Sequence, residues 1–174
     1  MELGPVDRIT ADAVGEPGMR TFYLQMRAGA DLISVIVEKE QVQLLAGSVL
    51  ELLEIEPGAA VGVMEEAMAL EEPIDPRWRA GRLSIGFEHE RDRFVLEVEE
   101  WRPEPEEGAI EAATDEPEGE TITLSATREQ MLALSSHGAT VAERGRPRCR
   151  FCGNPIDPEG HTCPATNGHR KPEA

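Results

Sequence analysis

The residues best suited to chemistry are three cysteines and two histidines that lie together near the C-terminus. Cys149 and Cys152 have the Cys-x-x-Cys spacing, and Cys163 follows them with His161 and His169 on either side of it. Zinc prefers thiolate and imidazole ligands, and a tight Cys-x-x-Cys turn places two sulfur atoms about one tetrahedron edge apart. The pattern therefore predicts a zinc-ribbon-like knuckle in which three cysteines and one histidine close the site.

Either of the two histidines can supply the fourth ligand. His161 lies so close to Cys163 that both can bind one ion only if the backbone bends between them. His169 has a longer tether, through Asn167 and Gly168. The spacing favours His161, with His169 as the alternative, and the unused imidazole is expected to lie beside the site or on the surface.

Two other uses of the Cys-x-x-Cys motif fit less well. A thioredoxin-like redox motif normally lies between a strand and a helix of a βαβ unit, whereas this one follows the last predicted helix. A catalytic zinc keeps one coordination position open, whereas the surplus of candidate ligands here favours a closed site. A structural role has a clear physical reason, because a short tail has too little core and metal binding supplies folding free energy.

The remaining polar groups form no catalytic constellation. His89 is expected to be a solvated turn residue, and His137 lies on a predicted helix beside two serines without the third group of a nucleophilic triad. Arg77, Arg79 and Arg82 form a basic cluster around a tryptophan. That cluster could contact an anionic ligand, but salt bridges to the acidic part of the chain are favoured. The sequence therefore predicts no catalytic residue and leans against an enzyme.

Charge is divided sharply along the 174-residue chain, whose net charge is −17. Residues 144–172 hold six basic against two acidic residues, whereas residues 1–143 hold 11 basic against 31 acidic ones. We therefore predict an acidic α+β domain over residues 1–145 and a basic zinc-binding tail over residues 146–174. The acidic part disfavours nucleic acid and anionic membranes. Without a signal-peptide pattern or an apolar run of roughly 18 residues, the cytoplasm is the expected compartment.

Hydrophobic periodicity predicts an α+β domain with an antiparallel sheet of about six strands and helices on one face. Alternating segments indicate strands, and helical spacing begins near residues 38, 59 and 126. An acidic, proline-rich stretch is predicted to be a mobile loop because it buries too little apolar surface. The predicted strands lie within 6–14, 20–27, 32–37, 81–88, 93–101 and 120–124, the helices within 38–56, 59–71 and 126–143, and the loop within 102–119.

The two longer predicted helices begin alike. Residues 38–41 read Glu-Lys-Glu-Gln and residues 127–130 read Thr-Arg-Glu-Gln, in each case after predicted strands. One explanation is capping, because helix starts favour such residues and because Thr127 and Gln130 have the spacing of a capping box. The alternative is a pseudo-repeat in which two β-plus-helix units share one sheet.

Several motifs are those of a known family. They are Val37-Glu38-Lys39-Glu40-Gln41-Val42, Arg79-Ala80-Gly81, Gly145-Arg146-Pro147, Cys149-Arg150-Phe151-Cys152-Gly153, Pro155-Ile156-Asp157-Pro158-Glu159-Gly160-His161, Cys163-Pro164 and Asn167-Gly168-His169. With them the chain resembles, over nearly its whole length, an actinobacterial family of uncharacterised proteins, domain of unknown function 3090. The family has no assigned activity, so the resemblance implies no catalytic residues.

The resemblance also bears on the metal ligands and on partners. The last position of the tail varies between histidine and an aromatic residue among relatives, which favours His161 over His169. Members are encoded near a histidine-phosphatase-like protein and a lipid-kinase-like protein, which implies a partner role or a shared pathway.

The sequence thus predicts a zinc-binding, non-catalytic interaction or adaptor module whose partner is another protein. Two alternatives stay open. A nucleic-acid-binding role would use the alternating Arg146, Arg148 and Arg150 beside the knuckle, against the charge of the acidic part. An enzyme acting on a phosphate-bearing small molecule would use the arginine cluster around residue 79 as its anion contact.

Overall fold

The computed structural model describes residues 1–55, 65–103, 119–145, 149–154, 156 and 160–166. The strands are β1 (Glu2–Pro5), β2 (Arg8–Val14), β3 (Thr21–Ala28), β4 (Asp31–Val37), β5 (Pro76–Glu88), β6 (Arg93–Glu100) and β7 (Thr121–Thr127). The helices are α1 (Lys39–Leu52), the one-turn α2 (Glu65–Met68) and α3 (Arg128–Glu143), followed by a 3-10 turn at Pro164–Thr166. Within these ranges, no helix has both the length and the apolar character needed to cross a membrane.

The strands form one mixed sheet in the order β1-β7-β6-β5-β4-β3-β2. The α+β class is confirmed, but the predicted antiparallel sheet of about six strands is wrong in two respects. The seventh strand is β1, which is too short to show alternation in the sequence. Two pairings are parallel, β1 with β7 and β4 with β5. Between β4 and β5 the chain passes through α1, and a parallel pair needs a long crossover of this kind.

The two edges of this sheet meet. β1 and β2 stand at opposite ends of the strand order, yet only Val6 and Asp7 separate them in the chain. Seven flat strands would hold the edges about 29 Å apart, whereas this link can span only about 10 Å. The sheet must therefore curl. The N–H groups of Val6 and Asp7 bridge the edges, since they donate to the carbonyl oxygens of Ser125 in β7 and Arg27 in β3, at 2.9 and 2.8 Å.

The hydrophobic core lies between the curled sheet and helices α1 and α3. The two helices cross closely, because a Cβ atom added at Gly138 would lie 3.0 Å from Cγ1 of Val42. At the same crossing the Ser135 hydroxyl donates to the carbonyl oxygen of Ala46, at 2.7 Å. Phe94 is the one aromatic among the largest fully buried side chains of the described residues. The core therefore relies on close aliphatic packing rather than on aromatic bulk.

The second predicted helix, over 59–71, is only partly described. Residues 56–64 lie outside the described ranges, and the helix present is α2, at Glu65–Met68. The backbone of Glu71 instead covers β3, where the amide of Gln25 accepts a hydrogen bond from its N–H and donates to its carbonyl oxygen, at 2.8 and 2.9 Å. The predicted mobile loop also falls, over 104–118, outside the described residues.

Each half of the domain is a three-stranded meander followed by a helix. The first half is β2-β3-β4-α1 and the second is β5-β6-β7-α3, and each meander is antiparallel throughout. The first turn of each helix contains a glutamine whose side-chain oxygen accepts a hydrogen bond from the backbone N–H three residues earlier. Gln41 accepts from the N–H of Glu38 and Gln130 from the N–H of Thr127, each at 2.8 Å. The capping box predicted at Thr127 and Gln130 is confirmed.

The same two glutamines also bind neighbouring strands. The Gln41 amide donates to the carbonyl oxygens of residues 80 and 81, at 3.4 and 3.0 Å, where the pairing register of β5 with β6 shifts. The Gln130 amide donates to the carbonyl oxygens of residues 6 and 7, at 3.0 Å each, where β1 passes into β2. Both glutamines therefore satisfy carbonyl groups at an irregular point of a strand.

Removing either glutamine side chain is expected to destabilise the fold. Gln41→Ala and Gln130→Ala should each lower the free energy of unfolding by about 1–2 kcal/mol, because a helix cap and partners of strand carbonyls are lost together. Urea denaturation followed by circular dichroism measures this. Gln43→Ala is the matched control, since Gln43 is exposed on the same helix. Equal losses in Gln41→Ala and Gln43→Ala would contradict the assigned role.

Gly81 lets two backbones approach closely. Gly81 lies inside β5, which begins at Pro76 and not at the predicted residue 81, because Pro76 and Arg79 pair with β4. A Cβ atom at Gly81 would lie 2.9 Å from the Cα atom of Trp101, which only a backbone shift could relieve.

Gly81→Ala is therefore expected to lower the free energy of unfolding by about 1–3 kcal/mol through overpacking. Gly86→Ala is the matched control in the same strand, because a Cβ atom there meets no atom within 4 Å. Thermal unfolding measures the stability of both variants. If Gly81→Ala were as stable as the wild type, the two backbones could move apart without a free-energy cost, which would contradict the prediction.

Candidate metal centre

A tight turn arranges the first two cysteines of the tail. The N–H of Cys149 donates to the carbonyl oxygen of Asn154, and the N–H of Gly153 donates to the carbonyl oxygen of Cys149, each at 2.8 Å. Gly153 has a φ of +73°, which glycine adopts without the steric cost that other residues meet. The sequence Cys-x-x-Cys-Gly therefore closes on itself before any partner is considered.

Four side chains converge on this turn. The ligand atoms of Cys149, Cys152, His161 and Cys163 all lie within 4.8 Å of one another. The sulfur atoms of Cys149 and Cys163 are 3.8 Å apart, and the Cys152 sulfur is 3.3 Å from Nε2 of His161. Among the described residues none of the three cysteines forms a disulfide bond, and Cys149 and Cys163 are buried. We call these four residues together with the turn 149–154 the knuckle, and its donor atoms can hold a metal ion.

The knuckle contains the residues that the spacing favoured. The three cysteines and His161 are close together, whereas the alternative ligand His169 lies outside the described residues. The backbone bend that simultaneous binding by His161 and Cys163 requires is present, next to Gly160 with its φ of +90°. The assignment of each side chain as a ligand stays a prediction.

The thiol groups of the knuckle have unequal pKa values. The backbone N–H groups of Cys152 and Phe151 lower the pKa of the Cys149 thiol to about 6. The N–H of Asn154 lowers the pKa of the Cys152 thiol, but burial and the sulfur atoms of Cys149 and Cys163 outweigh it, so that this pKa is raised. Crowded thiolates repel one another, and a bound cation relieves that repulsion while releasing protons.

The outer side of the turn carries a stacked pair of side chains. The guanidinium carbon of Arg150 lies 4.8 Å from the ring centroid of Phe151, and Phe151 is 54% exposed. We call Arg150 and Phe151 the tip of the knuckle. Sequence reasoning noted the arginine but missed its aromatic partner, although both lie between the two cysteines.

Two of the three arginines of the cluster form ion pairs with acidic residues of the same domain. Arg77 lies 3.6 Å from Glu120, and Arg79 pairs with Glu38. Arg82 is exposed and lines an open cleft instead. Arg77 and Arg79 thus form the salt bridges that the sequence favoured. The three arginines do not surround one common anion site. Such exposed pairs contribute little to stability.

The other histidines occupy different settings. His89 is exposed in the turn between β5 and β6, where a solvated residue was predicted. His137 is buried, and its Nε2 atom lies 3.4 Å from Oδ2 of Asp12 without the alignment of a hydrogen bond. Sequence reasoning missed Asp12, because the pair joins β2 to α3 across most of the chain.

The surroundings of Asp12 favour its charged form. Burial raises the pKa of its carboxyl group, but the His137 side chain, the N–H of Ala13 and the positive charge of Arg144 together outweigh burial and lower that pKa. A carboxyl group whose pKa is lower in the folded state stabilises the fold above its unfolded pKa. That stabilisation is lost as the pH falls below about 4 and through the folded pKa.

Asp12→Asn is therefore expected to lower the free energy of unfolding by about 1–2 kcal/mol near neutral pH. The difference from wild type should shrink as the pH falls below about 4. Urea unfolding across a pH series measures it, with Asp31→Asn as a control because Asp31 is exposed. A difference that stays constant down to strongly acidic pH would contradict the assigned role of the carboxylate.

Comparison with known proteins adds a family but no activity. The sequence profile of a family described as "Protein of unknown function (DUF3090)" matches residues 1–163, a range that includes all four converging side chains of the knuckle. No curated protein and no solved structure matches the chain.

Proposed function

Since the chain belongs to the DUF3090 family of proteins of unknown function, we propose its role from its own residues: a zinc-binding, non-catalytic interaction module. The observation that carries the proposal is the convergence of three thiols and one imidazole within 4.8 Å in a segment with little core of its own. The partner is proposed to be another protein and the compartment the cytoplasm.

The distances support zinc. Around a tetrahedral zinc ion with bonds of about 2.3 Å to sulfur and 2.0 Å to nitrogen, two sulfur atoms lie about 3.8 Å apart and a sulfur and a nitrogen about 3.5 Å apart. The knuckle has 3.8 Å between Cys149 and Cys163 and 3.3 Å between Cys152 and His161. Three soft thiolates with one imidazole select zinc over the hard cations that prefer oxygen.

The donor set supports a structural rather than a catalytic ion. Four protein ligands complete a tetrahedron, and a catalytic zinc would need a position open to water or substrate. Metal binding would then supply the folding free energy that a short tail cannot obtain from burial. On this view residues 1–145 form the acidic domain and residues 146–174 the zinc-binding tail.

The polar groups outside the knuckle support a non-catalytic role. His137 is paired with Asp12, and Arg77 and Arg79 contact acidic residues of the same domain. His89 packs its ring edge-on against Phe87, at 4.9 Å between centroids. These contacts are structural, and none of them joins a nucleophile to a base.

The exposed tip supports an interaction role. Arginine and aromatic side chains are enriched in the energetic centres of protein interfaces, and the turn would hold Arg150 and Phe151 rigidly once an ion is bound. The same pair also favours a second candidate, stacking on single-stranded nucleic acid. The 31 acidic residues of residues 1–143 against 11 basic ones oppose that candidate.

The test is the metal content of the purified full chain. Elemental analysis should find about one zinc ion per chain, and Cys149→Ser and Cys163→Ser should each lower zinc affinity by more than about tenfold. His89→Asn is the control, since His89 is exposed and remote from the knuckle in the sequence. Chelation should make the tail more sensitive to proteolysis while residues 1–145 keep their circular dichroism. A chain that contains no metal and whose tail resists proteolysis equally with a chelator would refute the proposal.

A further inference from the structure

We propose that the protein self-associates, with the tip of one copy docking on a cleft beside Trp101 of a second copy. The inference rests on the proposed function, because only a knuckle organised by metal holds Arg150 and Phe151 in a defined position. It identifies the protein partner of that module as another copy of the same chain.

The cleft lies where β5, β6 and β7 come together at the shift in register. It has a volume of about 560 Å³, and its lining combines Trp101 with charges of both signs, from Arg82, Arg102, Glu99, Glu100 and Glu120. Trp101 is 55% exposed. Its backbone is held, because its N–H donates to the carbonyl oxygen of Arg79 at 2.7 Å and Gly81 packs directly against its Cα atom. An exposed indole on a fixed backbone is a suitable contact for a second aromatic ring.

One carboxylate of the cleft is available to a partner. The Glu100 carboxylate accepts a hydrogen bond from the N–H of Glu120, at 3.1 Å, and the Glu120 carboxylate accepts one from the indole of Trp78, at 3.0 Å. Glu99 lines the same cleft and makes no ion pair among the residues that the structure describes. Arg82 lies opposite Glu99 in the β5–β6 register and Arg102 lines the same cleft, so a guanidinium group that enters beside Trp101 would share a carboxylate that is within ion-pair distance of neither.

The tip has the complementary chemistry. Arg150 supplies a guanidinium group for Glu99, and Phe151 supplies a ring that can pack on the indole of Trp101. The two side chains already stack on each other, so they present charge and apolar surface together. Aromatic and arginine side chains of this kind dominate the binding energy of small interfaces.

Two observations favour a second copy as the occupant. Phe151 and Trp101 are 54% and 55% exposed in the single chain, so the knuckle of a chain does not cover that chain's own cleft. The basic residues 144–172 and the acidic residues 1–143 give each copy a tail and a body of opposite charge. Two copies that exchange tips would form two equivalent contacts and a closed twofold dimer. Nucleic acid fits less well, because the excess of acidic residues in 1–143 repels phosphate.

Sedimentation equilibrium of the zinc-loaded full chain tests the proposal. We expect a monomer–dimer equilibrium that shifts toward monomer at high salt, since exposed charges contribute to it. Phe151→Ala and Trp101→Ala should each weaken dimerisation by at least about tenfold. Met19→Ala, which removes an 82% exposed apolar side chain elsewhere, should leave it unchanged.

A charge exchange provides the sharper test. Arg150→Glu and Glu99→Arg should each weaken the dimer, and the double variant should recover most of the loss because the pair is restored with opposite polarity. Arg91→Glu is the matched control, at a 78% exposed arginine in the β5–β6 turn. A double variant no better than the single ones would overturn the proposed pairing.

Zinc content measured in parallel separates this inference from the proposed function. A zinc-loaded wild type that is monomeric at every concentration would overturn self-association alone, and a chain without metal would overturn both. A monomer in which Phe151→Ala changes the solvent exposure of Trp101 would show docking within one chain and would likewise overturn the dimer. Salt-dependent binding of a labelled uridine oligonucleotide by a monomer, abolished by Phe151→Ala, would assign the tip to nucleic acid instead.

Discussion

The link formed by Val6 and Asp7 sets the shape of the whole domain. It joins strands at opposite ends of the strand order, so the sheet cannot lie flat and its edges must come together. The backbone groups of these two residues bind both edges, and their carbonyl oxygens are satisfied by the amide of Gln130. Helices α1 and α3 pack against this curled sheet, so that a chain with 4% aromatic residues still builds a continuous core.

The two halves of the domain meet the same physical problem in the same way. Where a strand is interrupted, its carbonyl groups lose their partners in the ladder, and an unpaired buried carbonyl is costly. A glutamine in the first turn of a helix can cap that helix with its oxygen and satisfy the strand with its nitrogen. Gln41 and Gln130 do both. The similar helix starts noticed in the sequence thus have equivalent structural roles, whatever their origin.

The acidic body and the knuckle depend on different forces. Apolar burial holds the body, in a cluster that draws on strands β2 to β7 and all three helices, with Leu3 of β1 packed against it. No residue of the tail belongs to this cluster among the described residues. Cys149 and Cys163 are the buried residues of the knuckle. Its shape therefore depends on what its four donor side chains bind, and not on a hydrophobic core. The candidate metal ligands thus lie in the described segment that has the least core of its own. Arg150 and Phe151 accordingly lie outside the hydrophobic core and are exposed to solvent.

Local spacing in the sequence was sufficient for the α+β class, for the starts of α1 and α3 and for the convergence of Cys149, Cys152 and Cys163, but it left His161 and His169 as alternatives. Each of these depends on residues a few positions apart, whose geometry a turn or a helix imposes directly. The seventh strand, the two parallel pairings, the contact of Gly81 with Trp101 and the pairing of Asp12 with His137 were decided only by the tertiary structure. They join segments that are distant in the chain, and hydrophobic periodicity shows that a segment is buried without showing which segment it is buried against.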